Sequence, residues 1–167
     1  MSDSSFMPDI KLLVPNEWRL LRQVRLTALQ ESPDSFLAQY DEEFTFSQER
    51  WRSEFDRGDW YIGFRQQNAM SMVGCTREKE TPKSECFIEY LWVEPDSRGS
   101  GVAFHLLTNI IDRLRVAGVR RAFLWVMDGN DRAERLYRRV GFVSSKIRHP
   151  LTARPGRSEA LMQYDLG

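Results

Sequence analysis

Apolar positions along the chain fall into two alternating rhythms. Residues 9–14, DIKLLV, form a short apolar run that predicts a first strand. Residues 15–32 place Trp18, Leu21, Val24, Leu26 and Leu29 close to a 3.6-residue period behind Pro15 and Asn16, which predicts a helix with a start signal. The segment PDSF breaks it, and residues 47–57 read as a second helix with Trp51 and Phe55 four apart on one face, ended by Gly58 and Asp59. Residues 60–66 and 69–79 read as two strands of a hairpin about Gln67 and Asn68. After the loop ETPKSE, residues 86–93, CFIEYLWV, form the most strand-like segment. A broad apolar stripe of Val102, Ala103, Leu106, Leu107, Ile110, Ile111 and Leu114 then predicts a helix capped by Gly118. Residues 120–127 read as a buried-type strand, and residues 128–142 as a turn and short helix with Ala133, Leu136, Tyr137 and Val140 on one face. Residues 142–147 and 159–166 read as strands around the loop RHPLTARPGRS. The order predicts an α/β (mixed α+β) fold, a mixed sheet with helices on its faces, in one domain over residues 1–167.

Composition narrows this picture. The 167 residues can bury a core, with 41% apolar and 29% charged residues. Lysine plus arginine equals aspartate plus glutamate at 24 each, which argues against a general nucleic-acid binder. No run approaches the roughly 18 apolar residues of a membrane span. Residues 1–14 lack a basic start followed by an apolar core, so no secretion signal and a cytoplasmic location are expected. Cys75 and Cys86 are expected to be buried, reduced thiols. With His105 and His149 they give no zinc pattern, and no metal is expected.

One stretch exceeds what chain folding needs. VEPDSRGSGVAFHLL runs from a strand end into a helix start through an arginine and a run of small residues. Amide hydrogens at a helix N-terminus, aided by the helix dipole, attract anions, and small residues admit a ligand close to the backbone. Arg98 adds a charged fork matched to phosphate oxygens. The turn therefore reads as a diphosphate cradle, although Gly99 and Gly101 could serve only to turn the chain. A triphosphate loop would need Gly-Lys-Ser/Thr, and the dinucleotide fingerprint a third glycine near the first strand; neither is present.

Arg98-Gly99-Ser100-Gly101-Val102-Ala103 resembles the Arg/Gln-x-x-Gly-x-Gly/Ala motif of the GNAT superfamily of acetyl-CoA-dependent N-acetyltransferases, and Val93-Glu94-Pro95 its preceding Val-x-Pro. Asn130, Ala133, Leu136, Tyr137 and Gly141-Phe142 match a second pattern of that superfamily. The resemblance implies a twisted, mostly antiparallel sheet of six to seven strands with a splayed parallel pair and about four helices. It implies that the amides of Gly99, Ser100, Gly101, Val102, Ala103 and Phe104 hold the coenzyme A pyrophosphate, with Arg98 in the motif's Arg/Gln position. Main-chain groups of Leu91, Trp92 and Val93 would pair with the pantetheine arm, Asn130 would bond that arm, and Tyr137 would lie near the thioester sulfur as proton donor. By spacing alone Tyr137 reads as core.

The base stays open between Glu89, Asp128 and water. Glu89 interrupts an apolar strand, and alternation puts it on the face of Leu91 and Val93; it could equally lie at the strand's wet end beside an arginine. The glutamate that ribosomal-protein N-terminal acetyltransferases carry five residues before the asparagine is Trp125 here. Two acceptor hints diverge. Asp34, Asp41, Glu42 and Glu43 among Phe36, Tyr40, Phe44 and Phe46 could favour a cationic amine, whereas Arg148, His149, Arg154 and Arg157 could receive a carboxylate. The expected function is acetyl transfer from acetyl-CoA to a primary amine of a small molecule or peptide; the other reading is a non-catalytic acyl-CoA sensor of the same fold. Nucleic acid and membrane are not expected as partners, and relatives of this kind often form homodimers.

Overall fold

Trp51 and Trp60 have no exposed surface, and one half of the molecule is organised around them. The computed structural model describes residues 7–167, so the first six residues of the stretch read as lacking a secretion signal lie outside the described residues. The chain divides into two compact units: one runs up to Thr76 and resumes over Tyr90–Leu106, and the other comprises Arg77–Glu89 and Leu107–Gly167.

The first unit contains β1 (Asp9–Leu12), α1 (Trp18–Glu31), α2 (Tyr40–Phe44), α3 (Gln48–Arg57), β2 (Gly58–Arg65) and β3 (Asn68–Thr76). Leu21, Val24 and Ala28 of α1 and Trp51 of α3 close on Trp60, Ile62, Met72 and Trp92. The periodic apolar stripe of α1 thus meets a strand buried on both sides, since Trp60, Tyr61 and Ile62 are all buried in succession. Gly74 makes room for the packing: a Cβ there would lie 2.6 Å from Cζ3 of Trp60. Ser47 caps α3 by accepting the Arg50 amide at 3.1 Å. Helix α2 corrects the expected loop; its five residues are too few to show a period.

β4 (Glu85–Val93) and α4 (Val102–Val116) each contribute to both units. The second unit adds β5 (Arg121–Met127), α5 (Asp131–Val140), β6 (Val143–Pro150) and β7 (Ser158–Asp165). β5 alternates buried Ala122, Leu124 and Val126 with half-buried Phe123, Trp125 and Met127, so one of its faces is dry and the other partly wet. β6 runs three residues beyond its expected end, because Arg148, His149 and Pro150 still pair with Ala160, Glu159 and Ser158. Among the described residues, seven strands form one sheet in the order β1-β2-β3-β4-β5-β7-β6. β4 and β5 are parallel, with paired register from Glu85–Arg121 to Phe87–Phe123; β1–β2, β2–β3, β5–β7 and β6–β7 are antiparallel. Among the described residues, five α-helices accompany the sheet, one more than expected.

Cys75 and Cys86 are buried, and among the described residues neither is joined in a disulfide. Among the described residues, no helix is long and apolar enough to cross a membrane.

Candidate active site

The glycine-rich stretch folds as a tight turn whose two glycines do different work from ordinary linkers. Gly99 has φ +78° and Gly101 φ +89°, both in the region that side chains disfavour. Among the described residues, a Cβ at Gly99 would meet nothing within 4 Å. Val102, 1% exposed, packs with Met70 and Val93, and Ala103 leans on the same cluster. The start of α4 is thereby anchored through its side chains, and a helix N-terminus is where backbone amides lie beyond the intrahelical bonding pattern. The His105 amide donates to the Gly101 carbonyl at 2.9 Å. An anion such as a diphosphate fits this donor set.

Arg98 is more constrained than its motif position implies. Its Nε donates to the Val93 carbonyl at 2.9 Å, and its Nη2 donates to Glu31 Oε2 at 2.6 Å and to Ser32 Oγ at 3.1 Å. Glu31 also accepts from Trp92 Nε1 at 2.9 Å and from the Ser32 hydroxyl. Desolvation pushes the Glu31 carboxyl upward, but these bonds and the Arg98 charge outweigh it and bring its pKa down to about 2. Arg98 therefore braces the turn against the end of α1, and Glu31 offsets much of its charge. Attraction for an anion here falls chiefly to the amides and the helix dipole.

Leu91, Trp92 and Val93 lie just upstream. Trp92 and Val93 are buried and Leu91 is half-buried. The Glu94 amide bonds the Met70 carbonyl at 2.8 Å. Within β4, Tyr90 has φ +55°, so the strand kinks in the left-handed region. This corrects the alternation argument for Glu89, because a period of two cannot be carried across the kink to Leu91 and Val93. Glu89 itself is half-buried.

In the second unit, Asn130 is the N-cap of α5, its side-chain oxygen accepting the Ala133 amide at 3.2 Å. Its side-chain NH2 is a separate donor. Tyr137, half-buried on α5, packs edge-on against Phe142 with ring centroids 6.2 Å apart. Burial pushes its phenol up to about 12, so it holds its proton throughout the physiological range. Asp128 binds Arg148 through its carboxylate and Arg157 through its carbonyl at 3.4 Å.

Both acceptor hints change in the fold. Glu43 is buried against Arg25, while Phe36, Tyr40 and Phe46 pack against the core of the first unit, so the acidic, aromatic mouth is not assembled as expected. Phe44 stays half exposed, with the Arg22 guanidinium 5.2 Å from its ring centre. Of the basic group, Arg148 and Arg157 engage Asp128, Arg154 reaches Met127 Sδ at 3.6 Å, and His149 stacks on Trp125 at 4.7 Å. Among the described residues, no group of three or more His, Cys, Asp or Glu is placed to hold a metal ion. Sequence reasoning missed Glu31, Tyr90 and the buried cluster about Arg25. The one available signal was Arg25 itself, four residues from both Leu21 and Leu29 on an apolar stripe.

These features have counterparts in known proteins. The spore coat polysaccharide biosynthesis protein SpsD of Bacillus subtilis is 33% identical over 44% of this chain and 25% of its own length. The chain spans well under half the length of the curated relatives it matches, 25% and 37%. Among solved structures, the acetyltransferase of GNAT family from Streptococcus pneumoniae superposes with a TM-score of 0.80 at 18% identity, covering 95% of this chain and 99% of that one. The yncA protein of Salmonella typhimurium, solved with its cofactor acetyl-CoA, superposes with a TM-score of 0.75 at 14% identity over 95% and 94% of the two chains. At such identities these neighbours establish the shared fold. The family model for the acetyltransferase (GNAT) family matches residues 25–142, which include the glycine turn, Asn130 and Tyr137, and the chain therefore belongs to that family.

Proposed function

We propose that residues 1–167 act as one N-acetyltransferase domain that moves an acetyl group from acetyl-CoA to a primary amine of a small molecule or peptide, by direct attack in a ternary complex. The observation that carries this reading is the turn before α4, where two left-handed glycines shape the helix N-terminus and, among the described residues, a Cβ at Gly99 would meet nothing within 4 Å. Acetyl-CoA, when bound, supplies the acetyl group as an activated thioester.

The amides of Gly99–Phe104 hold the pyrophosphate, and Arg98 keeps their turn in shape. The main chain of Leu91, Trp92 and Val93 receives the pantetheine arm, with Asn130 as a further donor. An amide near Val93 steadies negative charge developing on the carbonyl oxygen. Tyr137, kept neutral by burial, gives its proton to the sulfur as charge builds there. An alkyl ammonium has a pKa of about 10 and must lose a proton before it can attack. Glu89, Asp128 or a water held by either takes that proton. Much of the rate comes from holding the reacting groups together.

Titration calorimetry with coenzyme A and acetyl-CoA, followed by thiol release across a panel of amines, peptides and aminoglycosides, tests the proposal. Binding with turnover of at least one amine is expected. In Tyr137→Phe, turnover should fall by roughly 10²–10⁴-fold with acetyl-CoA affinity retained; unchanged turnover at saturation would remove Tyr137 from its role. No heat with either ligand up to millimolar concentration overturns the reading. Binding without turnover of any amine replaces it with an acyl-CoA sensor.

A further inference from the structure

The stripe of α1 that faces the core contains a buried cation. Arg25 is 1% exposed. Its Nε donates to Glu43 Oε2 at 3.0 Å, its Nη2 to Glu43 Oε1, and its Nη1 to Glu54 Oε2 at 2.8 Å. Glu43 and Glu54 are themselves 3% and 0% exposed. The guanidinium carbon lies 5.0 Å from the ring centres of Trp51 and Trp60 and 4.1 Å from that of Tyr90. The Tyr90 hydroxyl closes the cluster, accepting from Arg25 Nη2 at 3.0 Å and donating to Glu43 Oε1 at 2.8 Å.

Packed apolar side chains of the same volume would stabilise a core at least as well as a buried ion cluster, so the cluster's distinctive physical property is directional. It fixes where each member points. Tyr90 is the member with something to fix, because it holds φ +55° within a strand, a conformation that costs an aromatic residue free energy and persists only when surroundings enforce it. Its ring is gripped as well: Phe36 stacks at 5.8 Å and Trp60 meets it edge-on at 5.5 Å. The kink immediately precedes Leu91, Trp92 and Val93, and the Val93 carbonyl receives Arg98 Nε.

We propose that Tyr90 is a positioning residue: the Arg25–Glu43 clamp on its hydroxyl holds β4 in its left-handed kink and so aims the Leu91–Val93 main chain. This rests on the acetyltransferase reading, in which that main chain receives the cofactor's arm. Tyr90 touches no reacting atom and acts through the segment that follows it.

Three proteins test this: the wild type, Tyr90→Phe, which keeps the ring and loses the hydroxyl, and Val73→Ala, which removes buried volume from β3 without touching the clamp. Coenzyme A affinity is measured by calorimetry well below each melting temperature. Exchange of the Leu91–Glu94 amides is measured without ligand. Tyr90→Phe should weaken coenzyme A binding about tenfold and speed exchange across Leu91–Glu94 by at least as much. Val73→Ala should lower the melting temperature while shifting neither quantity more than about twofold. Wild-type affinity and exchange in Tyr90→Phe overturn the clamp, and so does a Val73→Ala protein that reproduces both changes. If the wild type binds no coenzyme A, the acetyltransferase reading falls, and the exchange comparison alone decides whether the hydroxyl holds the segment.

Discussion

Glu31 shows how one residue can set the electrostatics of a whole turn. Its carboxyl pKa is about 2 against an ordinary 4.5, because Arg98, Ser32 and Trp92 favour the charged form. A carboxyl with a depressed folded pKa contributes stability above the unfolded pKa and loses it as pH falls toward the folded value. Wild-type stability should therefore decline between about pH 4.5 and pH 2, and Glu31→Gln should lack that share of the decline. The effect, on the order of 1 kcal/mol for a partly exposed pair, is measurable as urea midpoints across that range. An identical acid limb in both proteins would show that the pair contributes nothing. Tyr137 has the opposite sign. With its folded pKa pushed up to about 12, the unfolded chain releases this proton first, so its contribution is lost between about pH 10 and pH 12. Tyr137 and Arg98 were singled out through the family motifs, since by spacing alone Tyr137 reads as core. Glu31 was not, since it lies 67 positions from Arg98 and ends a helix in an unremarkable acidic context.

At the scale of elements, the turn and α4 agree between pattern and fold because their determinants are local. Two glycines at left-handed φ and an apolar stripe at helical period specify a strand-to-helix corner. Gly101→Ala should cost roughly 1 kcal/mol of stability through backbone strain alone, since the nearest neighbour of a Cβ there, Met7 Cε at 3.5 Å, is in ordinary contact. Calorimetry should show weaker coenzyme A binding in the same variant if the open turn is the cradle. Elements were less legible where tertiary contacts overruled local preference. Helix α2 is too short to declare itself, β6 continues through Pro150 because β7 pairs with it, and β4 kinks at an aromatic residue that propensity assigns to a plain strand.

At the scale of the molecule, the cluster of Arg25, Glu43 and Glu54 is the largest departure from an apolar core. Burial works against the charge on Arg25, yet Tyr90, Glu43 and Glu54 hold its pKa above the usual value. Removing the cation alone leaves Glu43 buried with the Tyr90 hydroxyl and takes one of three arginine partners from the buried Glu54, which keeps Arg50 and Arg57. Arg25→Met should therefore destabilise the protein by about 3–5 kcal/mol in urea unfolding, whereas an exposed arginine of α5 such as Arg135 should cost under about 0.5 kcal/mol when replaced by Ala. A loss near 1 kcal/mol for Arg25→Met would mean that the carboxylates find other partners or take up protons. The sequence alone determined the order of strands and most helices along the chain, the glycine turn, and the spacing of Asn130 and Tyr137, because these follow from periodicity and backbone rules acting over a few residues. Tertiary structure alone decided that Arg98 braces the turn, that Glu43 turns inward to Arg25, and that Tyr90 kinks its strand. Those outcomes depend on which charged groups meet across 18 to 67 positions of chain, and their free energies depend on burial, a property no short window of sequence contains.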